Sequence, residues 1–195
     1  MSFFGRIRNL LALLGALALL VAILAAIKIA PVASRLDPGA LGVFTKVGNR
    51  YLETLDPGVS MVISVPVKEG LTPDEVVESM KSLAVQYGML FVGESPFYKQ
   101  VEAITGKPYR HVAFYSFCDA MVGAEMLQYN TAYTAFMPCR IALVEDETGK
   151  LWLHTMDLDM FIYGGKPLPP ALKEGAIKVR DALNKILRGA AEGEF

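Results

Sequence analysis

An unbroken apolar run near the N-terminus constrains this chain more than any other feature of its sequence. Residues 10–27 hold 17 apolar side chains out of 18. As an α-helix this run would extend about 27 Å, nearly the thickness of a hydrocarbon core of about 30 Å. We therefore predict a basic tail over residues 1–9 and one transmembrane helix over residues 10–30, ended by Pro31. The predicted anchor residues are Leu10, Leu14, Leu17, Leu20, Ile23 and Ile27.

The same run has two interpretations, a retained anchor or a cleaved signal peptide. Arg6 and Arg8 precede it, and Val32-Ala33-Ser34 resembles a cleavage site. The run is longer than the roughly 7–15 residues of an ordinary signal core, and Lys28 precedes the site, which favours an anchor. The basic tail favours a cytoplasmic N-terminus. We expect a single-pass protein of a bacterial-type inner membrane, with its globular domain in the periplasm.

Composition limits what the rest of the chain can be. The protein has 195 residues, and its mean hydropathy of +0.36 reflects mainly the apolar run. The length that remains is enough for one hydrophobic core. After Arg35 there are 15 basic and 20 acidic residues, a net charge of −5. This charge argues against nucleic acid as a partner, because nucleic-acid binding requires a basic surface.

Turn and periodicity signals divide the chain after the run. Two Asp-Pro-Gly sequences, at residues 37–39 and 56–58, bracket a short amphipathic helix over residues 40–55 within a juxtamembrane linker, residues 31–59. This helix is either a connector on the bilayer surface, a docking element for a neighbouring protein, or a linker packed on its own domain. Its apolar residues are Leu41, Phe44, Tyr51, Leu52 and Leu55.

Residues 60–188 carry the signals of a compact domain, followed by a tail over residues 189–195. A capping box at Thr72 and Glu75 starts one helix, and Asp119 caps another over residues 120–129. Strands are predicted at residues 61–67, 89–92, 111–117, 136–145 and 151–156, and a last helix follows Pro169-Pro170 and ends at Gly189. The fold class is α+β: an N-terminal transmembrane helix, then a two-layer domain with a largely antiparallel sheet and packed helices.

No catalytic signature is present, so the sequence does not predict an enzyme. The two cysteines form no CxxC motif, and two histidines are too few for a three-histidine metal site. Cys118 and Cys139 are either small buried side chains or, in an oxidising compartment, a disulfide. Asp157 and Asp159 would share one face of an extended segment and could bind a cation, but we expect them to be a solvated pair at a strand end.

One constellation could hold a ligand. If the hairpin turns at Glu147-Thr148, Ile141 lies opposite His154 and Cys139 lies opposite Met156, so that thiol, imidazole and thioether share one face of the sheet. Haem iron or a soft metal accepts such donors. The alternative is a mixed sheet face beneath helices or at a dimer contact. A register shift of one residue would separate the set.

The cysteine segments resemble a known family. Over about residues 60–188 the chain resembles domain-of-unknown-function family 302. The resemblance rests on Phe117-Cys118-Asp119-Ala120, on the helix that follows to Tyr129, and on Met137-Pro138-Cys139-Arg140, which enters a hairpin. That family usually has Cys-Asn-Pro where this chain has Cys118-Asp119-Ala120. The resemblance implies a compact α+β fold, often dimeric, without established enzymatic activity. Candidate ligand-binding residues are therefore Cys139, His154 and Met156, with Cys118 and Arg140.

Two classes of function follow from these observations. The first is a membrane-anchored, non-catalytic accessory module that joins or stabilises a larger membrane complex, with other membrane proteins or a second copy as partners. The alternative is a module that binds a small ligand, haem or a soft metal for electron transfer. The sequence requires no cofactor, and non-covalent haem is the second choice.

Overall fold

A long exposed helix begins the protein. The computed structural model describes residues 3–195, with side chains from Ile7 on, so the first two residues of the predicted basic tail and the Arg6 side chain lie outside the described residues. Helix α1 spans Phe3–Ala33, and none of its stretch Ile7–Ala33 is buried against the protein. The expected end at Pro31 is wrong. Proline removes only one backbone donor, and the Ser34 N–H still bonds the Ala30 carbonyl at 3.0 Å.

The remaining described elements form the predicted α+β domain and its connector. The helices are α2 Ala40–Thr54, α3 Pro57–Ser60, α4 Pro73–Gln86, α5 Phe97–Thr105, α6 Ala120–Tyr129, α7 Asp159–Tyr163 and α8 Pro170–Glu192, with a 3₁₀ turn at Thr131–Phe136. The strands are β1 Val62–Pro66, β2 Leu90–Ser95, β3 Val112–Cys118, β4 Cys139–Glu145 and β5 Leu151–Met156. They form one antiparallel sheet in the order β1-β5-β4-β3-β2, which confirms the predicted fold class.

The core lies between one face of the sheet and helices α4 and α8. Ile141, Leu143 and Leu153 point from the central strands into this core and are fully buried. Helix α4 begins with the predicted capping box, in which the Thr72 hydroxyl accepts from the Glu75 N–H and the Glu75 carboxylate accepts from the Thr72 N–H. A second, smaller core joins α6 and α7 to the first half of α8, and its members are Met126, Ile162, Leu168, Leu172 and Ala176.

Helix α8 continues past the position where the sequence predicted its end. Gly189 is helical and buried, and a Cβ there would lie 2.7 Å from a methyl carbon of Leu83 on α4. The glycine therefore permits close helix packing and does not end α8, which stops at Gly193 with φ +76°. Residues 189–191 are core residues, so the predicted tail boundary at 189 is wrong.

The connector helix α2 is confirmed, and ion pairs attach it to the domain. Lys46 lies 2.6 Å from Asp157 and 3.1 Å from Asp159, and Arg180 of α8 lies 2.9 Å from Asp159. Asp37, just before α2, is buried and paired with Lys173. The expectation of a solvated pair at Asp157 and Asp159 is wrong, because both carboxylates bind cations of packed helices. The domain therefore follows helix α1 without a free linker.

Candidate functional site

The two halves of the cysteine motif meet at one end of the sheet. Strand β3 ends at Cys118, and Asp119 then caps α6 by accepting hydrogen bonds from the N–H groups of Met121 and Val122 at 3.0 and 3.1 Å. Strand β4 begins at Cys139, which pairs with Phe117 of β3. Segments 20 residues apart in sequence are thus neighbours in the fold.

Both cysteines line an apolar cavity of about 90 Å³. The cavity lies between this end of the sheet, helix α6, the 3₁₀ turn, α7 and α8. Its walls are almost entirely carbon and sulfur, and they include Val122, Met126, Tyr133, Leu158 and Ile162. We call this the two-cysteine pocket.

Sulfur atoms converge on the two-cysteine pocket from different segments. Gly123 of α6 leaves a space there. A Cβ on Gly123 would lie 3.6 Å from the Cys118 Sγ and 3.9 Å from the Met137 Sδ. Cys139 contributes a second thiol to the same wall. The arrangement offers two thiols and a thioether in apolar surroundings, which are the donors that soft metal ions accept.

Both thiols are free and protonated at neutral pH. Burial raises the pKa of Cys139 to about 11, and the nearby Cys118 adds to the shift. Burial also raises the pKa of Cys118, and the Asp119 charge adds to it. Because the thiolate is the nucleophilic form, this environment does not activate either cysteine for covalent catalysis.

The predicted set of Cys139, His154 and Met156 is not on one face of the sheet. The hairpin pairs Ala142, not Ile141, with His154, which is a register shift of one residue. The loop causes this shift: the Asp146 carboxylate accepts from the N–H groups of Thr148 and Lys150, and Gly149 adopts φ +82°, giving a three-residue turn with a bulge. The prediction of a shared face is therefore wrong.

His154, Met156 and Arg140 lie on the opposite face from the core, which we call the open face. The His154 Nδ1 lies 2.8 Å from the Ser64 hydroxyl, and its ring stacks on that of Trp152 at 6.3 Å. Burial lowers the pKa of His154, so the ring is neutral at pH 7. The imidazole that the sequence assigned to a ligand thus has a protein partner.

Haem does not fit these residues. The proposed axial donors are divided between two faces of the sheet. The two-cysteine pocket has about 90 Å³, and a recess lined by Cys139, Arg140, His154 and Met156 has about 250 Å³. Both are smaller than the roughly 300–1,000 Å³ of ordinary cofactor sites. Within residues 3–195, no group of three or more His, Cys, Asp and Glu side chains comes together either.

A polar recess at the other end of the sheet was not predicted. The Nε2 atom of His111 is buried there without a hydrogen-bond partner in the described part of the chain. Its ring lies against that of Tyr98, with centroids 4.9 Å apart and planes inclined at 31°, and burial raises the pKa of the adjoining Tyr115 to about 12. No sequence pattern indicates this recess, because its residues come from α4, β2, α5 and β3.

The comparisons with known proteins agree with the fold. Residues 63–190 match the family described as "Domain of unknown function DUF302". A solved structure of an uncharacterized conserved protein DUF302 from Bacillus stearothermophilus is similar, with a TM-score of 0.52 and 18% sequence identity. The alignment covers 66% of this chain and 96% of that chain. At this identity the likeness concerns the fold alone. No curated protein matches this chain.

Proposed function

The chain belongs to the DUF302 family, and from its own residues we propose that it is a membrane-anchored, non-catalytic module that binds a soft metal ion, Cu(I), in the two-cysteine pocket. The convergence of Cys118, Cys139 and Met137 on one apolar cavity carries this proposal. Thiolate and thioether donors favour Cu(I), whereas a structural zinc site normally has four nitrogen or thiolate ligands.

The burial of the two thiols also favours a cationic ligand. The apolar pocket disfavours a thiolate charge, which is why the pKa of Cys139 is raised. A bound monovalent cation would neutralise one thiolate charge and so reduce the penalty. Cys139, His154 and Met156 also line one recess, but the proposal prefers the three sulfur donors of the two-cysteine pocket.

An anaerobic competition titration tests this function. The full chain in detergent is titrated with Cu(I) against a chromophoric chelator, and we expect one tightly bound ion per chain. Cys118→Ser, Cys139→Ser and Met137→Leu should each weaken binding, the cysteine variants by at least about tenfold. His154→Ala and Met156→Leu are matched controls from the open face and should bind like the parent. No binding, or binding lost only in the controls, would refute the assignment.

The membrane anchor and its orientation are part of the proposal. An apolar helix with no buried residue over Ile7–Ala33 supports a retained span, and the basic residues before it support a cytoplasmic N-terminus. The domain is then periplasmic. Protease added to right-side-out spheroplasts should digest the domain, and protection would refute the orientation. A soluble mature chain beginning near Ser34 would show instead that the run is a cleaved signal peptide.

The open face supports a second candidate function, that of an accessory module. Helices α4 and α8 cover only one face of the sheet, and the other face presents Arg140, Trp152, His154 and Met156. A second copy of the chain or another membrane protein would cover this face. If Trp152→Glu changed the mass of the detergent-solubilised protein while Cu(I) binding persisted, the open face would be an assembly surface.

A further inference from the structure

The connector helix α2 exposes a continuous apolar stripe. Leu41, Phe44 and Leu52 recur at spacings that return to one side of an α-helix, and Leu55 follows them as the C-cap, with a left-handed backbone. Leu41 is 79% exposed, and Leu52 and Leu55 are each 73% exposed. Tyr51 beside them is also exposed, and Val59 of α3 extends the stripe. We call these residues the α2 apolar stripe.

The domain itself cannot cover this stripe. A different side of α2 contacts the domain, through buried Ala40 and Val43 and the ion pairs of Lys46. The Arg50 guanidinium donates to the Val62 carbonyl at 2.7 Å and holds the second half of the helix. Because these contacts fix the rotation of α2, its apolar side stays directed away from the domain.

The stripe lies close to the end of the membrane helix. Only residues 34–39 separate α1 from α2, and the turn is tight because Arg35 and Leu36 bond the carbonyls of Val32 and Ala33. The next residue, Asp37, donates its N–H to the Gly165 carbonyl of the domain at 2.8 Å. The stretch Ile7–Ala33 would extend about 40 Å, beyond a hydrocarbon core of about 30 Å, so its last turns reach the headgroup level where α2 begins.

We propose that the α2 apolar stripe inserts into the membrane interface, so that α2 lies on the bilayer that α1 crosses. Its other exposed side carries Gly42, Thr45, Asn49 and Glu53, which suits a helix that is half in lipid and half in water. The insertion would give the domain a defined orientation on the membrane. This inference rests on the proposed anchor and adds to it the second membrane contact.

Tryptophan quenching by brominated lipid tests the inference. Trp152 is the single tryptophan, so single reporters are placed in a Trp152→Phe background at Leu52 on the stripe, at Leu17 in the anchor and at Val85 on α4. Val85 is 80% exposed and is the matched control for an exposed apolar position. The full chain is reconstituted in phosphatidylcholine vesicles with and without the brominated lipid. If Trp152→Phe does not fold, the same reporters are measured with Trp152 retained and the parent signal subtracted.

We expect the reporters at 17 and 52 to show strong quenching and blue-shifted emission, and the reporter at 85 to show neither. If the reporter at 17 is quenched but the reporter at 52 behaves like the one at 85, the inference is wrong and the anchor remains supported. The stripe would then be free for a protein partner. No quenching at 17 would refute the anchor itself.

Discussion

The chemistry of the two-cysteine pocket is decided by single residues, and chiefly by how they are buried. Cys139 ionises with a pKa near 11 because burial disfavours its thiolate and Cys118 lies nearby. A metal-bound cysteine is a thiolate, so each thiol that coordinates must release a proton. Affinity for a metal is therefore coupled to pH over the whole range below these pKa values.

We predict that Cu(I) affinity increases with pH, by about tenfold per pH unit for each proton released between about pH 6 and 8. The sign follows because both thiols stay protonated over this range, so that releasing each proton becomes more favourable as the proton concentration falls. Competition titrations at three pH values measure the slope. A slope of zero would contradict thiolate ligation.

Gly123 separates stability from binding. Alanine is more favourable than glycine inside a helix by roughly 0.5–1 kcal/mol, and a methyl group here would have ordinary contacts with the two sulfur atoms. Gly123→Ala should therefore increase the free energy of unfolding but weaken Cu(I) binding, because the methyl group occupies the space between the donors.

Gly42→Ala on α2 is the control, since its Cβ would meet no atom within 4 Å. It should leave binding unchanged. Urea unfolding and Cu(I) titration measure the two effects, and unchanged binding in Gly123→Ala would count against the pocket.

At the scale of elements, helix α4 shows how local signals and packing act together. Its start is determined by the Thr72 capping box, and its buried side by Val76, Met80 and Leu83 against the sheet and α8. Leu83 also fills the groove that Gly189 leaves on α8. The cap and the buried stripe stabilise the same helix through different interactions.

Substitutions in α4 should separate these contributions. Thr72→Ala removes one capping bond and should lower the free energy of unfolding by about 1 kcal/mol. Leu83→Ala leaves a cavity in the core and should lower it by about 2–5 kcal/mol. Val85→Ala, on the exposed side of the same helix, should change it by no more than about 0.5 kcal/mol. Chemical denaturation measures all three, and equal effects of Leu83→Ala and Val85→Ala would contradict the packing described.

At the scale of the whole molecule, Asp37 attaches the segment between α1 and α2 to the domain. The Lys173 ammonium, followed by the Gly39 N–H, holds the pKa of Asp37 below its ordinary value. Its partner lies on α8, so one ion pair links the start of α2 to the longest helix of the domain. The position of α2 on the domain depends on this pair and on that of Lys46 with Asp157.

Asp37→Asn should lower the free energy of unfolding by about 1.5–3 kcal/mol at pH 7, because it removes a charged partner at a buried position. The lowered pKa means that the contribution of Asp37 is complete above about pH 4 and is lost as the pH falls through its folded value. The difference between variant and parent should therefore shrink on acidification. Asp56→Asn, in the second Asp-Pro-Gly sequence, is the control, because exposed Asp56 only caps α3 and asparagine can do the same. Urea titrations at pH 7 and pH 3 measure the difference in unfolding free energy between Asp37→Asn and the parent. If this difference does not change with pH, the ion-pair role is contradicted.

Features with short-range causes were predictable from the sequence alone. The apolar run, the Thr72 and Asp119 caps and the alternation of strand residues each act within a few positions. Helices α4 and α6 and strand β5 lie where they indicate, and α1 covers the apolar run but continues past Pro31. The antiparallel α+β class follows from the order of these elements. The resemblance to family 302 depended on two cysteine segments, which the fold brings together at one pocket.

Tertiary structure decided which residues share a site. The hairpin register depends on how the Asp146 side chain and the left-handed Gly149 close the loop, and a shift of one residue moves His154 to the other face from Cys139. Gly189 could be read as a helix end, but its close contact with Leu83 keeps it within α8. Likewise, the periodicity of α2 indicated an apolar side, whereas the domain contacts of Ala40, Val43, Lys46 and Arg50 determine that this side faces away from the domain. In each case the deciding contact joins residues that are distant in sequence or depends on side-chain geometry, and patterns of residue type carry neither.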